Sequence, residues 1–272
     1  MTPGKKRVVL SADDYGLTPG ISTGIRQLLV QGRLTATAAM TASPFWGEEG
    51  RKLLTEAGRI DADVGLHLTL TDHVPLTRMP KLARTGNLPR NGQLILMSLR
   101  GQLKDAAIRQ EIASEITAQV DAFGAVMGRM PDFLDGHHHC HQLPVIRELV
   151  LEVFTRRIAP SGGYLRLCQE PLPAILMRRR AVLRAALISA LGQGFARQVR
   201  KAGLKCNDSF RGVRDFTARE DTGDLFRRFF GGTGDRPLVM CHPGYVDDHL
   251  FGLDPLTDLR ETELRYLASD AF

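Results

Sequence analysis

Val8-Val9-Leu10-Ser11-Ala12-Asp13-Asp14-Tyr15-Gly16-Leu17-Thr18-Pro19-Gly20 contains the reading on which the fold turns. A β-rich apolar run ends in two carboxylates, and a Gly/Pro turn follows it. Behind the turn, Ile21, Ile25, Leu28 and Leu29 recur at helical spacing, and Gly32 stops the pattern as a C-terminal glycine. This is one βα unit with chemically capable side chains at the C-terminal end of its strand.

The same unit repeats along the chain. Strands are predicted over 35–43, 63–70, 164–168, 205–210 and 237–242, with a further one at Pro131-Asp132-Phe133-Leu134-Asp135. Ile108, Ile112, Ile116, Val120 and Phe123 mark a long amphipathic helix. Pro144 is expected to open the next helix, where its missing N–H costs nothing. About seven strands alternate with helices and no linker interrupts them, so the sequence predicts one α/β domain over 1–272. Parallel strands with crossover helices follow from that alternation, and so many units favour an irregular TIM-like (β/α) barrel over an open sheet. Residues 71–101 are punctuated by Pro and Gly and too long for a simple connection, which predicts an elaborated loop over a site.

Polar residues gather at the strand ends: Asp13 and Asp14, then His67, then His137, His139 and His141. Arg166 and Glu170, Asn207 and Asp208, and finally His242 continue the series. In parallel barrels the active site is built at that rim. If the segment 137–141 continues as a strand, His137, His139 and His141 share one face. Neutral imidazoles plus a carboxylate suit zinc or another divalent ion. Adjacent Asp13 and Asp14 would point apart unless the strand bends, so one is expected to ligate and the other to act as base toward a water. Spacing alone does not say which.

Composition narrows the setting. The chain has 272 residues, 43% apolar and 24% charged, which excludes intrinsic disorder and fibrous repeats. Four scattered cysteines with no Cys-x-x-Cys exclude a disulfide framework, and no run is apolar enough for a spanning helix or a signal peptide. A cytoplasmic protein with reduced thiols is expected. Cys140 and Cys241 each adjoin a histidine, but neighbours along a strand point apart, which argues against a cysteine nucleophile.

Ser-Ala-Asp-Asp-Tyr-Gly-Leu (11–17), Gly-Leu-His-Leu-Thr-Leu-Thr (65–71), Leu-Asp-Gly-His-His-His-Cys-His-Gln-Leu-Pro (134–144) and Met-Cys-His-Pro-Gly-Tyr (240–245) together resemble the YdjC-like carbohydrate deacetylases. That group includes chito-oligosaccharide deacetylases and a hopanoid-biosynthesis branch. The resemblance implies an irregular barrel related to polysaccharide deacetylases, and one divalent metal ion, zinc or magnesium. By position it implies Asp14, His67 and His137 as ligands, Asp13 as general base and His242 as acid for the leaving amine. His139, His141, Arg166 and Glu170, with Asp208 from the strand-end series, are expected to orient ligands or bind the sugar. Tyr15 stands where the group usually has Phe, and Cys140 where a larger apolar residue is common. The implied reaction is removal of the N-acetyl group from an amino sugar, in an oligosaccharide or glycolipid. Another metal-dependent hydrolase, such as a phosphoesterase, and a non-catalytic metal- or sugar-binding protein are the rivals.

Thirty-six Lys and Arg against 30 Asp and Glu give a net charge of +6. Residues 171–206, read as a basic helical insertion away from the reactive motifs, contain no acid but carry Arg178, Arg179, Arg180, Arg184, Arg197, Arg200, Lys201 and Lys205. An ordinary solvated face is one reading. Peripheral membrane contact through 176–205, at the inner membrane face, is the sharper one. Nucleic acid is not expected, because no recognition motif accompanies the charge. A homodimer is compatible with the sequence but not specified by it.

Overall fold

The computed structural model describes residues 7–177, 181–214, 221–231, 234–254 and 257–272. Seven strands form one sheet: β1 (Val9–Tyr15), β2 (Ala36–Ala39), β3 (Asp63–Leu68), β4 (Phe133–Gly136), β5 (Tyr164–Leu165), β6 (Ser209–Arg211) and β7 (Pro237–Cys241). The helices are α1 (Pro19–Val30), α2 (Trp46–Thr55), α3 (Asn91–Leu99), α4 (Ala106–Met127), α5 (Ile146–Arg157), α6 (Leu172–Met177), α7 (Val182–Lys201), α8 (Thr222–Phe230) and α9 (Thr257–Ala268).

Every strand pair is parallel, and the order is β5-β4-β3-β2-β1-β7-β6. That order is consecutive around a ring. The two ends meet through a parallel bridge between Leu165 and Cys206. The Asn207 side chain completes the seam: it accepts from Leu167 N at 2.7 Å and donates to Leu167 O at 2.8 Å. A side chain thus replaces part of a ladder, and the sheet curls into an irregular TIM-like barrel.

Local chemistry explains the elements. Thr18 caps α1 by accepting from Ile21 N, Pro19 occupies its first turn, and Gly32 (φ +68°) ends it in the left-handed region. Ile108, Ile112, Ile116, Val120 and Phe123 are all buried along α4. Strands are shorter than their apolar runs suggest, and Pro144 lies two residues ahead of α5 rather than opening it. The 71–101 stretch contains α3.

Gly212 follows β6 with φ +112°, and a Cβ there would sit 2.2 Å from the Met240 carbonyl oxygen of β7. Gly212→Ala should therefore destabilise the fold by roughly 3 kcal/mol or more, read by chemical denaturation, because it combines left-handed strain with a backbone clash.

Candidate metal centre and active-site cleft

The pairing of β1 with β2 slips between Ala12 and Tyr15, and Asp14 there has φ +69°. That bend is what alternation alone could not supply. Both Asp13 and Asp14 line the same cleft at the C-terminal ends of the strands, although they are neighbours.

Asp14, His67 and His137 each offer a ligand atom within 4.8 Å of the others. Asp14 Oδ1 lies 3.3 Å from His67 Nε2 and 3.1 Å from His137 Nδ1. Its other oxygen accepts from Arg260 at 2.5 Å, and Arg260 also pairs with Asp254. Burial alone would raise the Asp14 pKa; the Arg260 guanidinium, aided by the histidine hydrogen bonds, instead holds it well below the usual carboxylate range. Arg260 thereby occupies Oδ2 and leaves Oδ1 to face the two imidazoles.

His67 has its own anchor. Asp135 Oδ1 sits 2.6 Å from His67 Nδ1, directly across the β3–β4 register. A carboxylate on one ring nitrogen fixes the tautomer and turns the other nitrogen toward a cation. Burial disfavours charge on this ring, yet Asp135 and Asp13 outweigh it and push the pKa up to about 10. A spot that stabilises a proton so strongly is one that favours positive charge, and the donor set of one carboxylate and two imidazoles fits a divalent first-row ion.

A second triad, Asp13, His67 and Asp135, is as compact. Its two carboxylates already share one cation: Arg166 Nη1 reaches Asp13 Oδ1 at 2.6 Å and Asp135 Oδ2 at 2.7 Å, and Nη2 reaches Asp13 Oδ2 at 2.9 Å. Arg166 is fully buried, so this is a structural charge triad that orients Asp13.

The histidine run does not continue as a strand. β4 stops at Gly136, and 137–142 form a 3₁₀ turn in which His138 and His139 take positive φ (54° and 59°). The expected shared face is therefore dissolved, and each ring has a separate job. His137 joins Asp14. His139 Nδ1 lies 3.4 Å from Cys168 Sγ, and its ring meets Phe210 edge-on in the cleft wall. His141 is fully buried, its Nε2 2.9 Å from the Arg166 carbonyl oxygen, which makes it a brace for the Arg166 backbone. His138, which strand alternation pointed away, lines the cleft and bonds Thr71 Oγ1 at 2.9 Å.

His242 lines the cleft, and its backbone N–H donates to Glu263 Oε2 at 2.6 Å while Glu263 Oε1 accepts from Arg214. Burial lowers the His242 pKa below its ordinary value despite Asp14 and Asp13 nearby. Glu170 and Asp208, expected to bind the sugar, do not line this cleft. Both line a separate groove beside α6 and α7; Glu170 pairs with Arg211 at 3.4 Å and Asp208 accepts from Asp235 N and Arg236 N. Arg166 and His141 likewise act from within the wall.

Asp135, Arg260 and His73 were missed by sequence reading. His73 packs edge-on against His137 at 5.7 Å. Asp135 left one readable signal, a carboxylate in an apolar strand just before the histidines. The basic segment also needs correction: α7 is not remote, since Arg184, Leu187, Ile188 and Leu191 line the cleft of about 260 Å³ together with Asn91 and Ile95 of α3.

The cysteines are poor nucleophiles. Burial pushes the Cys140 and Cys168 thiols up to about 12 and Cys241 well above its ordinary value. In the native protein at roughly pH 8 iodoacetamide should label half-buried Cys206 first. Fast labelling of Cys168 or Cys140, by mass spectrometry, would contradict this.

A protein of Enterococcus faecalis V583 whose suggested activity is cellobiose-phosphate cleavage has the same fold: its crystal structure superposes with a TM-score of 0.71 at 19% identity, covering 98% of this chain and 92% of that one. A polysaccharide deacetylase of Bacillus cereus matches with a TM-score of 0.38 at 11% identity, covering 96% and 86%. The family model described as YdjC-like protein matches residues 7–272, so the chain belongs to the YdjC-like family.

Proposed function

We propose that this protein is a metal-dependent hydrolase that removes the N-acetyl group from an acetylated amino sugar, working in the reducing cytoplasm that its four free thiols suit. The observation that supports the reading best is the juxtaposition of the Asp14–His67–His137 triad with Asp13, which Arg166 fixes beside it. Two imidazoles favour zinc or a similar first-row ion over magnesium, which prefers oxygen ligands. Bound there, such an ion would supply Lewis acidity for the acetyl carbonyl and a lowered pKa for water.

The protein's own groups do the rest. Arg166 grips both Asp13 oxygens, so the carboxylate presents one orientation to the water whose proton it takes. Asp135 keeps His67 Nδ1 engaged, and Arg260 keeps Asp14 Oδ2 engaged. His242 rests neutral near neutral pH, so the proton that the departing amine needs reaches this ring during the cycle rather than being stored on it. Ile95 of α3, with Leu187, Ile188 and Leu191 of α7, gives the cleft an apolar lining beside these groups.

The test is acetate release from a panel of N-acetylated glycans and glycolipids by chelated and zinc-loaded protein. Acetate released only with metal supports the proposal. Phosphate release from simple esters without any acetate would replace it with a phosphoesterase, and metal uptake without hydrolysis would replace it with a binding protein. Because His67 carries a proton well above neutrality, a cation must displace that proton. Zinc affinity should therefore rise between roughly pH 6 and pH 8, with protons released on binding; pH-independent calorimetric titrations would contradict the assigned ligand.

A further inference from the structure

We propose that the α6–α7 pair is a docking surface for an anionic lipid bilayer, placed so that the bilayer faces the mouth of the cleft. The first observation is exposed apolar area. Leu172 and Leu176 of α6 are 62% and 58% exposed, and Leu183 and Leu187 of α7 are 84% and 55% exposed. α6 packs on α7, so these four leucines belong to one surface. Leucines this exposed, grouped on adjoining helices, form a patch rather than scattered singles.

The second observation is the order of side chains along α7. Residues 183, 187, 190, 197 and 201 fall at i, i+4, i+7, i+14 and i+18, one stripe of a helix, and all five are exposed. The stripe reads Leu, Leu, Ala, Arg, Lys. The opposite face buries Ala185, Gly192, Phe195, Ala196 and Val199 against the barrel. α7 is thus amphipathic twice over: an inner apolar face holds it to the protein, and the outer stripe carries leucines followed by cations.

Charge chooses the occupant. No Asp or Glu occurs from 171 to 206. Two copies of this chain meeting here would bring acid-free cationic stripes together, with no carboxylate on either helix to offset them. A nucleic acid would satisfy Arg197 and Lys201 but leave the leucines against phosphate and water. An anionic bilayer accepts both, with leucines in the acyl boundary and cations at the headgroups. Arg178, Arg179 and Arg180, which suggested the same partner from sequence, lie outside the described residues and carry no part of the argument.

The third observation links this surface to the site. Leu187 is exposed and also lines the cleft, beside Ile188 and Leu191. The apolar surface is therefore continuous from the outside of α7 into the cleft wall. Among the described residues no helix is long and apolar enough to cross a membrane, so the contact is one of lying on the surface.

Co-sedimentation of the full chain with phosphatidylcholine vesicles, alone or mixed with phosphatidylglycerol, tests this without reference to catalysis. The wild type should bind the mixed vesicles, less so at high salt, and leave the neutral ones in solution. Leu176→Glu/Leu183→Glu, at two exposed positions outside the cleft, should cut partitioning by roughly tenfold or more with an unchanged melting temperature. Absence of binding by the wild type, or equal binding by the variant, would overturn the proposal. So would a wild-type dimer that the variant converts to a monomer, which would assign the leucines to a second copy. Tighter binding to a DNA duplex than to vesicles, unaffected by the variant, would assign the cations to nucleic acid instead.

Discussion

His67→Ala should lower metal-dependent acetate release by at least about 10³-fold, because the cation's stabilisation of developing charge is worth several kcal/mol and each 1.36 kcal/mol is a factor of ten. His67 is the position with the widest consequences, since it belongs to both compact triads and its two ring nitrogens face different carboxylates, Asp14 and Asp135. Removing the ring would delete a proposed ligand and at the same time strip Asp135 Oδ1 of its imidazole, leaving that carboxylate to Arg166. Asp135→Asn is the graded comparison. It keeps all three ligand side chains but weakens the anchor on Nδ1, so zinc affinity should fall by about 10- to 100-fold, far less than in His67→Ala. Calorimetric zinc titration of both variants, beside acetate assays at saturating zinc, separates ligand from support. Wild-type zinc binding by His67→Ala would sink the ligand assignment even if activity were lost.

That ordering also shows how much the sequence could reveal. βα alternation is a local property, and Ile21, Ile25 and Leu28 or the α4 stripe declare their faces without tertiary help. Strand-end placement brought Asp13, Asp14, His67, His137 and His242 to one rim, and the barrel places them there. What stayed hidden is long-range or conformational. Arg260 meets Asp14 across 246 positions, and nothing in Thr-Asp-Leu-Arg-Glu-Thr-Glu-Leu-Arg distinguishes buried Arg260 from exposed Arg265. The 137–142 turn depends on two histidines accepting positive φ, which residue type alone does not announce. Strained non-glycine positions of this kind gather where a fold over-determines a site. Asp14 is a third example, and its bend turns two neighbours that should diverge toward one cleft.

The basic segment was misplaced for a related reason. Its charge is legible as composition, but the side of the barrel that it covers depends on how α7 packs. Phe195 and Val199 pull the helix inward, and the same face of the helix, one to two turns earlier, delivers Ile188 and Leu191 to the cleft. A feature that looked like a bystander therefore forms a wall of the site.

Arg166→Met should be the most destabilising substitution among the residues of the candidate site. The guanidinium is fully buried between Asp13 and Asp135, whose carboxylates it neutralises together. Without it two carboxylates remain close and dry, and removing one partner of a buried ion pair costs about 3–5 kcal/mol. That loss should appear as a lower urea midpoint. Arg166→Lys distinguishes charge from geometry. An ammonium keeps the charge but not the fork that grips both Asp13 oxygens. It should retain most of the stability while kcat falls by about 10²-fold at saturating zinc, because the base is no longer held in one orientation. If Arg166→Lys matched the wild type in kcat, Arg166 would be a charge-balancing residue alone, and Asp13 would need some other support to serve as the base.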